Sequence, residues 1–188
     1  ALEDPANVRE RYGLTREHVA VFHGWYEHPP NEEAVDAIRD VLAPAAVERG
    51  LDVDFLLVGK GTPAVDRPNV TTAGFVDDLF SVLNVADVAV VPISHGGGTK
   101  TKVYDYVTLG LPMVTTSKGI EGIDLVDGTH AAVVDAVDEA FVDALAGLLD
   151  SPARRDRMRD ALSRLAGEWS WASSVERLDT FYRIRCRE

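Results

Sequence analysis

Short apolar runs rich in β-branched residues recur at 19–23, 53–58, 70–73, 88–92, 113–116 and 131–134. They are nearly continuous rather than alternating, the pattern of strands buried on both faces of a parallel sheet. Helical periods lie between them. Ala34, Val35, Ile38, Val41 and Leu42 repeat at helical spacing behind Asn31 as an expected N-cap, with Glu32 and Glu33 in the first turn and Pro44 expected to end or kink the helix. Residues 77–84, 100–109 and 137–149 read as further helices, and Asp150-Ser151-Pro152 starts another that fills the tail. Alternating strands and helices predict an α/β fold: a Rossmann-like, doubly wound parallel sheet of about six strands, helices on both faces and a helical C-terminal tail. Residues 1–18 are expected as a linker, 19–168 as the domain, and 169–188 as a C-terminal helix.

In such a sheet, ligands bind outside the carboxyl ends of the strands. All four lysines of the chain fall in or near those loops: Lys60 after the second strand, Lys100 and Lys102 after the fourth, Lys118 after the fifth. The net charge of −12 disfavours binding of nucleic acid or an anionic membrane surface by the domain as a whole, so a bound phosphate has to be held locally. Asp outnumbers Glu 19 to 12 and Arg outnumbers Lys 15 to 4, a bias expected of halophilic proteins. The only cysteine, Cys186, allows no intrachain disulfide and suits a reducing, cytoplasmic setting. The longest apolar runs are far short of the roughly 20 residues that cross a bilayer. The chain opens on Ala1 without a signal-like segment and is expected to be part of something longer.

Gly59-Lys60-Gly61-Thr62-Pro63-Ala64 fits G-x-G-x-x-A superficially, but Pro63 and Pro68 leave no helix before the next strand, so a dinucleotide site is not expected. The segment from Ser94 to Lys102 is more informative. Gly96, Gly97 and Gly98 allow close backbone approach, and Thr99, Lys100 and Lys102 precede or open a helix whose N–H groups favour an anion such as a phosphate. The competing reading is a flexible linker before a capped helix, which needs neither three glycines nor two lysines. Five scattered histidines show no ligand spacing, so no metal is expected, although His28 and His95 are placed to donate to phosphate or hydroxyl groups.

Gly96-Gly97-Gly98-Thr99-Lys100-Thr101-Lys102-Val103-Tyr104-Asp105 is followed by Gly110-Leu111-Pro112 and then by Lys118-Gly119-Ile120-Glu121-Gly122. Gly24 with Pro30-Asn31, Val58-Gly59, Gly74-Phe75-Val76 and Trp169-Ser170-Trp171 complete an ordered set. This set resembles the C-terminal, donor-binding domain of retaining GT-B glycosyltransferases, the glycosyl transferases group 1 family. The resemblance implies that Asp105 matches the second acid of the Glu-x7-Glu pattern and binds the ribose hydroxyls of a nucleotide-sugar donor. It places the first acid on Gly97, so backbone N–H groups of Gly97 and Gly98 are expected beside the reacting sugar and phosphates. The first loop reads Gly24-Trp25-Tyr26-Glu27-His28, without the Arg and Lys that many relatives carry. Lys102, helped by Lys100, is expected to hold the leaving diphosphate instead, with no cofactor or metal.

Phe75 and Val76 match the segment that contacts the base, with packing beneath a loop as an equal reading. Glu121 would face the donor, or is a helix-start acid. Trp169 and Trp171 are expected as anchors of the last helix, and Leu178, Phe181 and Tyr182 as apolar positions facing a missing N-terminal acceptor domain. Any membrane association would come through that half, and the present chain alone would transfer sugar poorly. The alternatives are a sugar-nucleotide epimerase of the same fold and a non-catalytic nucleotide-binding module.

Overall fold

The computed structural model describes residues 2–169. Its sheet has six parallel strands, β1 (His18–His23), β2 (Val53–Val58), β3 (Val70–Gly74), β4 (Val88–Val91), β5 (Met113–Thr116) and β6 (Ala132–Val134), in the order β3-β2-β1-β4-β5-β6. The chain winds outward from β1 in one direction, then returns to its other side at β4. The switch point therefore lies between β1 and β4, where the loops after the two strands diverge and open a crevice. Every residue of β2, β4 and β5 is buried. Because successive side chains point to opposite faces, both faces must be covered, and the expected doubly wound α/β architecture is the one observed.

The helices are α1 (Pro5–Tyr12), α2 (Pro29–Ala37), α3 (Ala43–Glu48), α4 (Leu79–Leu83), α5 (Thr101–Thr108), α6 (Glu139–Leu149) and α7 (Pro152–Glu168). Ser151 caps α7 through the Arg154 N–H, with Pro152 at its first turn, as the start signal predicts. Trp169 follows α7 and packs on Tyr104 of α5, ring centroids 5.1 Å apart. Trp171, Leu178, Phe181, Tyr182 and the rest of the proposed C-terminal helix lie outside the described residues.

Three local features differ from expectation. Residues 1–18, read as a linker, carry α1, whose Val8 is fully buried. Carboxylates on β2 and just before β4 fasten the chain that follows, into the start of β1. Asp54, buried on β2, accepts from the Thr15 and Arg16 N–H groups, and Asp87 accepts from the Val19 N–H. Pro44 does not end its helix. A π-helical turn, Ile38–Leu42, joins α2 to α3 and lets the ring enter without the carbonyl clash it would meet in an unbroken α-helix. Asn31 is not a cap either: α2 begins at Pro29, and the buried Asn31 side chain points out of the first turn into other contacts.

Candidate functional site

A cavity of about 470 Å³ opens at the switch point, within the range of small-molecule sites. Its wall is drawn from His23, Gly24, Trp25 and His28 after or at the end of β1, Asn31 of α2, Gly59 and Lys60 after β2, Phe75 and Val76 after β3, and Gly97, Thr99, Lys100, Thr101 and Lys102 between β4 and α5.

Two kinds of glycine build it. Gly24 donates its N–H to Val58 O at 3.0 Å and Gly59 donates to Gly74 O at 2.8 Å, extending the ladder beyond the strand ends. Gly59 has φ +136°, and a Cβ there would lie 1.9 Å from Gly24 O, so no side chain fits. A Cβ on Gly96 would meet Pro30 Cγ at 2.5 Å. Gly97, by contrast, has no described residue within 4 Å of such a position and no left-handed backbone, so packing among the described residues gives no reason for glycine there. Lys100 stands at the N-cap of α5, where its side chain cannot accept the helix N–H groups; its ammonium instead donates to Gly98 O at 2.9 Å and braces the loop.

Lys102 is the chemical centre of the wall. Only 7% exposed, its Nζ donates to Asn31 Oδ1 at 2.7 Å and lies 4.8 Å from the centre of the Phe22 ring. Among the described residues no carboxylate forms an ion pair with it. Burial, then repulsion from Lys100, pushes its pKa down to about 8. Such an ammonium stabilises an incoming anion more than a solvated lysine does, because it has less water to give up.

Asp105, one turn along α5, does not line the cavity. Its Oδ2 lies 3.3 Å from His23 Nε2, a buried nitrogen in the cavity wall that is not aligned for a hydrogen bond with it. The His23 ring meets Tyr106 edge to face at 5.1 Å, and the His23 backbone N–H donates to the Tyr106 hydroxyl at 3.1 Å. Burial pushes the Tyr106 phenol far up, so it serves as a neutral hydrogen-bonding group. Lys102 and His23 thus line the opening, while Asp105 stands behind His23 rather than in the wall. Phe75 is 73% exposed beside Val76 on the cavity rim.

Glu121 lies away from the wall and pairs with Lys118 at 2.6 Å, a contact that holds its carboxyl below the usual range. Gly96 and Gly98 shape the loop without lining the cavity. His95 leans out to Glu33 at 3.1 Å, while His28 is in the wall. The wall residues that motif reading misses are His23 and Asn31. His23 belongs to no motif, and Asn31, quoted only beside Gly24 and as an expected cap, meets Lys102 across 71 positions of sequence. Among the described residues no three His, Cys, Asp or Glu side chains are placed to hold a metal ion, and no helix is long and apolar enough to cross a membrane.

A family model described as glycosyl transferases group 1 matches residues 17–151, all six strands of the sheet and every part of the cavity wall. The chain belongs to this family. It is 27% identical over 194 residues to alpha-D-kanosaminyltransferase of Streptomyces kanamyceticus, covering 95% of this chain and 48% of that protein. The chain thus spans about half the length of that relative. Among solved structures, HepE of Anabaena in complex with UDP-glucose superposes with a TM-score of 0.70 at 12% identity, over 88% of this chain and 49% of that one. The C-terminal domain of LpcC, a glycosyl transferase group 1 family protein from Francisella tularensis, gives 0.67 at 14% identity, over 89% and 93%. Those identities speak for the fold alone. The family's fold and the switch-point cavity coincide in this chain.

Proposed function

We propose that this chain is the donor-binding half of a retaining glycosyltransferase, with the acceptor held by a further N-terminal domain across the cleft. The observation that carries the reading is the buried Lys102 ammonium, unpaired with any carboxylate among the described residues, at the mouth of a parallel sheet beside a glycine that packing does not require. Support for the missing half comes from the 48% coverage of the kanosaminyltransferase and the 93% coverage of an isolated C-terminal domain. A UDP-glucose complex of a protein sharing this fold supports a nucleotide-sugar donor. The single cysteine suits a reducing cytoplasmic setting, and the acidic, Asp-rich and Arg-rich composition suits high salt.

The bond broken in transfer joins the anomeric carbon to a diphosphate oxygen, which gains negative charge as it departs. Lys102, helped by Lys100 and by N–H groups of the loop from Gly97 to Thr99, takes up that charge; Lys102 already stands in the wall before the reaction begins, so stabilisation needs little reorganisation and no metal. Gly97 leaves space for the sugar against the backbone. Asp105, beside His23, takes the ribose hydroxyls, and Phe75 and Val76 contact the base. With the acceptor domain absent, this half binds donor but transfers little.

A calorimetric screen of nucleoside diphosphates, their sugar conjugates and the parent nucleosides tests the proposal. At least one diphosphate should bind, undiminished by a chelator, and more tightly than its nucleoside. No binding by any of them contradicts the proposal, as does vigorous sugar transfer by the chain alone.

A further inference from the structure

The part of Lys102's surroundings that no glycine or lysine motif accounts for is Asn31. Its Oδ1 accepts from the Lys102 ammonium at 2.7 Å while its Nδ2 donates to the Trp25 carbonyl, also at 2.7 Å. The two partners fix the orientation of the amide, because an ammonium only donates and a carbonyl only accepts. Gly24 makes room for it: a Cβ at that position would stand 2.8 Å from Asn31 Nδ2. The first turn of α2 therefore ties the loop after β1 to the helix after β4, across the switch point.

The chemistry of the amide matters as much as its reach. An aspartate of the same shape would pair with Lys102, cancel its charge and set an anionic oxygen against the Trp25 carbonyl. An alanine would leave the ammonium without this acceptor. Only a neutral group with one acceptor and one donor satisfies both neighbours and keeps the charge whole.

We infer that Asn31 is a positioning residue for Lys102, holding the ammonium in the cavity wall while leaving its charge free for the diphosphate of the donor. The inference rests on the proposed function, since it requires a diphosphate in that cavity. It predicts a dependence on charge that a merely structural asparagine would not produce.

Four groups of titratable or charged character share the wall with Lys102: His23 and His28 from β1 and its loop, Lys60 after β2, and Lys100 before α5. A Lys102→Met variant separates its titration from theirs. In the wild type the Lys102 ammonium, with its pKa at about 8, is charged below that pH, so diphosphate affinity is highest there and falls as pH rises through about 8. The Met variant lacks that fall.

The experiment is calorimetry with UDP, GDP and ADP and with uridine, guanosine and adenosine, on wild type, Asn31→Asp and Asn31→Ala, from about pH 7 to about pH 9.5. For the diphosphate that wild type binds best, Asn31→Asp should weaken binding about tenfold or more and change binding of the matching nucleoside less than about twofold. The pH at which its residual diphosphate affinity falls should move upward, because a carboxylate favours the ammonium; in Asn31→Ala it should move downward, with a loss of about three- to tenfold. Should the Asp variant fail to fold, the Ala variant carries the test. Wild-type diphosphate affinity in both variants, or equal loss of diphosphate and nucleoside binding, overturns the inference and leaves the proposed function standing. A wild type that binds none of the diphosphates overturns both.

Discussion

The glycines after β1 and β2 and the glycines after β4 look alike in sequence and differ in cause. Gly24 and Gly59 are pressed together: each is where another backbone or side chain already occupies the space of a Cβ. Among the described residues nothing stands near a Cβ on Gly97 or Gly98, although Gly98, at φ +79°, has a backbone that itself favours glycine. The first pair serves the fold, bringing the ends of β1 and β2 close enough to form one side of a crevice. The second is left open by the described residues, and in the proposed function that room belongs to the donor. Glycine content alone therefore does not mark a ligand loop; what sets Gly97 apart is an open Cβ position together with a place in the cavity wall.

Substitutions separate these two uses. Gly59→Ala should be the most damaging, costing about 3 kcal/mol or more and measured as a large fall in melting temperature, because its Cβ overlaps a carbonyl and its backbone is left-handed. Lys102→Ala should weaken diphosphate binding by about 1.5 to 3 kcal/mol and leave nucleoside binding almost unchanged by calorimetry. Equal loss for both ligands would place Lys102 in the fold rather than the site. Gly97→Ala should keep or raise stability, by up to about 1 kcal/mol through the unfolded chain, yet lower nucleotide-sugar affinity. A fall in its melting temperature would erase the contrast with Gly59. Glu121→Gln should have the smallest effect, with unchanged diphosphate affinity, since Glu121 is committed to Lys118 outside the wall.

Much of the fold was legible because both faces of the sheet are covered, and strands such as β2 and β4 therefore read as unbroken apolar runs. Helix α1 was not, because it buries only Val8 and is otherwise polar, so it reads as linker; the chain just after it is anchored by a carboxylate far along the sequence, Asp54 on β2. The continuation past Pro44 depends on a π-helical turn that periodicity does not encode. In the site, Lys102, Lys100, Gly97 and Thr99 were legible because they are local to one loop. His23 and Asn31 were not, because an ordinary strand residue and an expected cap gain their meaning only when β1, α2 and α5 come together. Asp105 was placed by resemblance at the sugar of the nucleotide; in the structure it lies outside the cavity wall, 3.3 Å from His23 Nε2.

The most direct measurement is amide chemical-shift mapping of the protein during titration with the nucleoside diphosphate it binds best. The account predicts that the largest changes fall on Gly24, Gly97, Thr99 and Lys102, on both sides of the switch point at once. Changes confined to another surface, with these four amides unmoved at saturation, would contradict it.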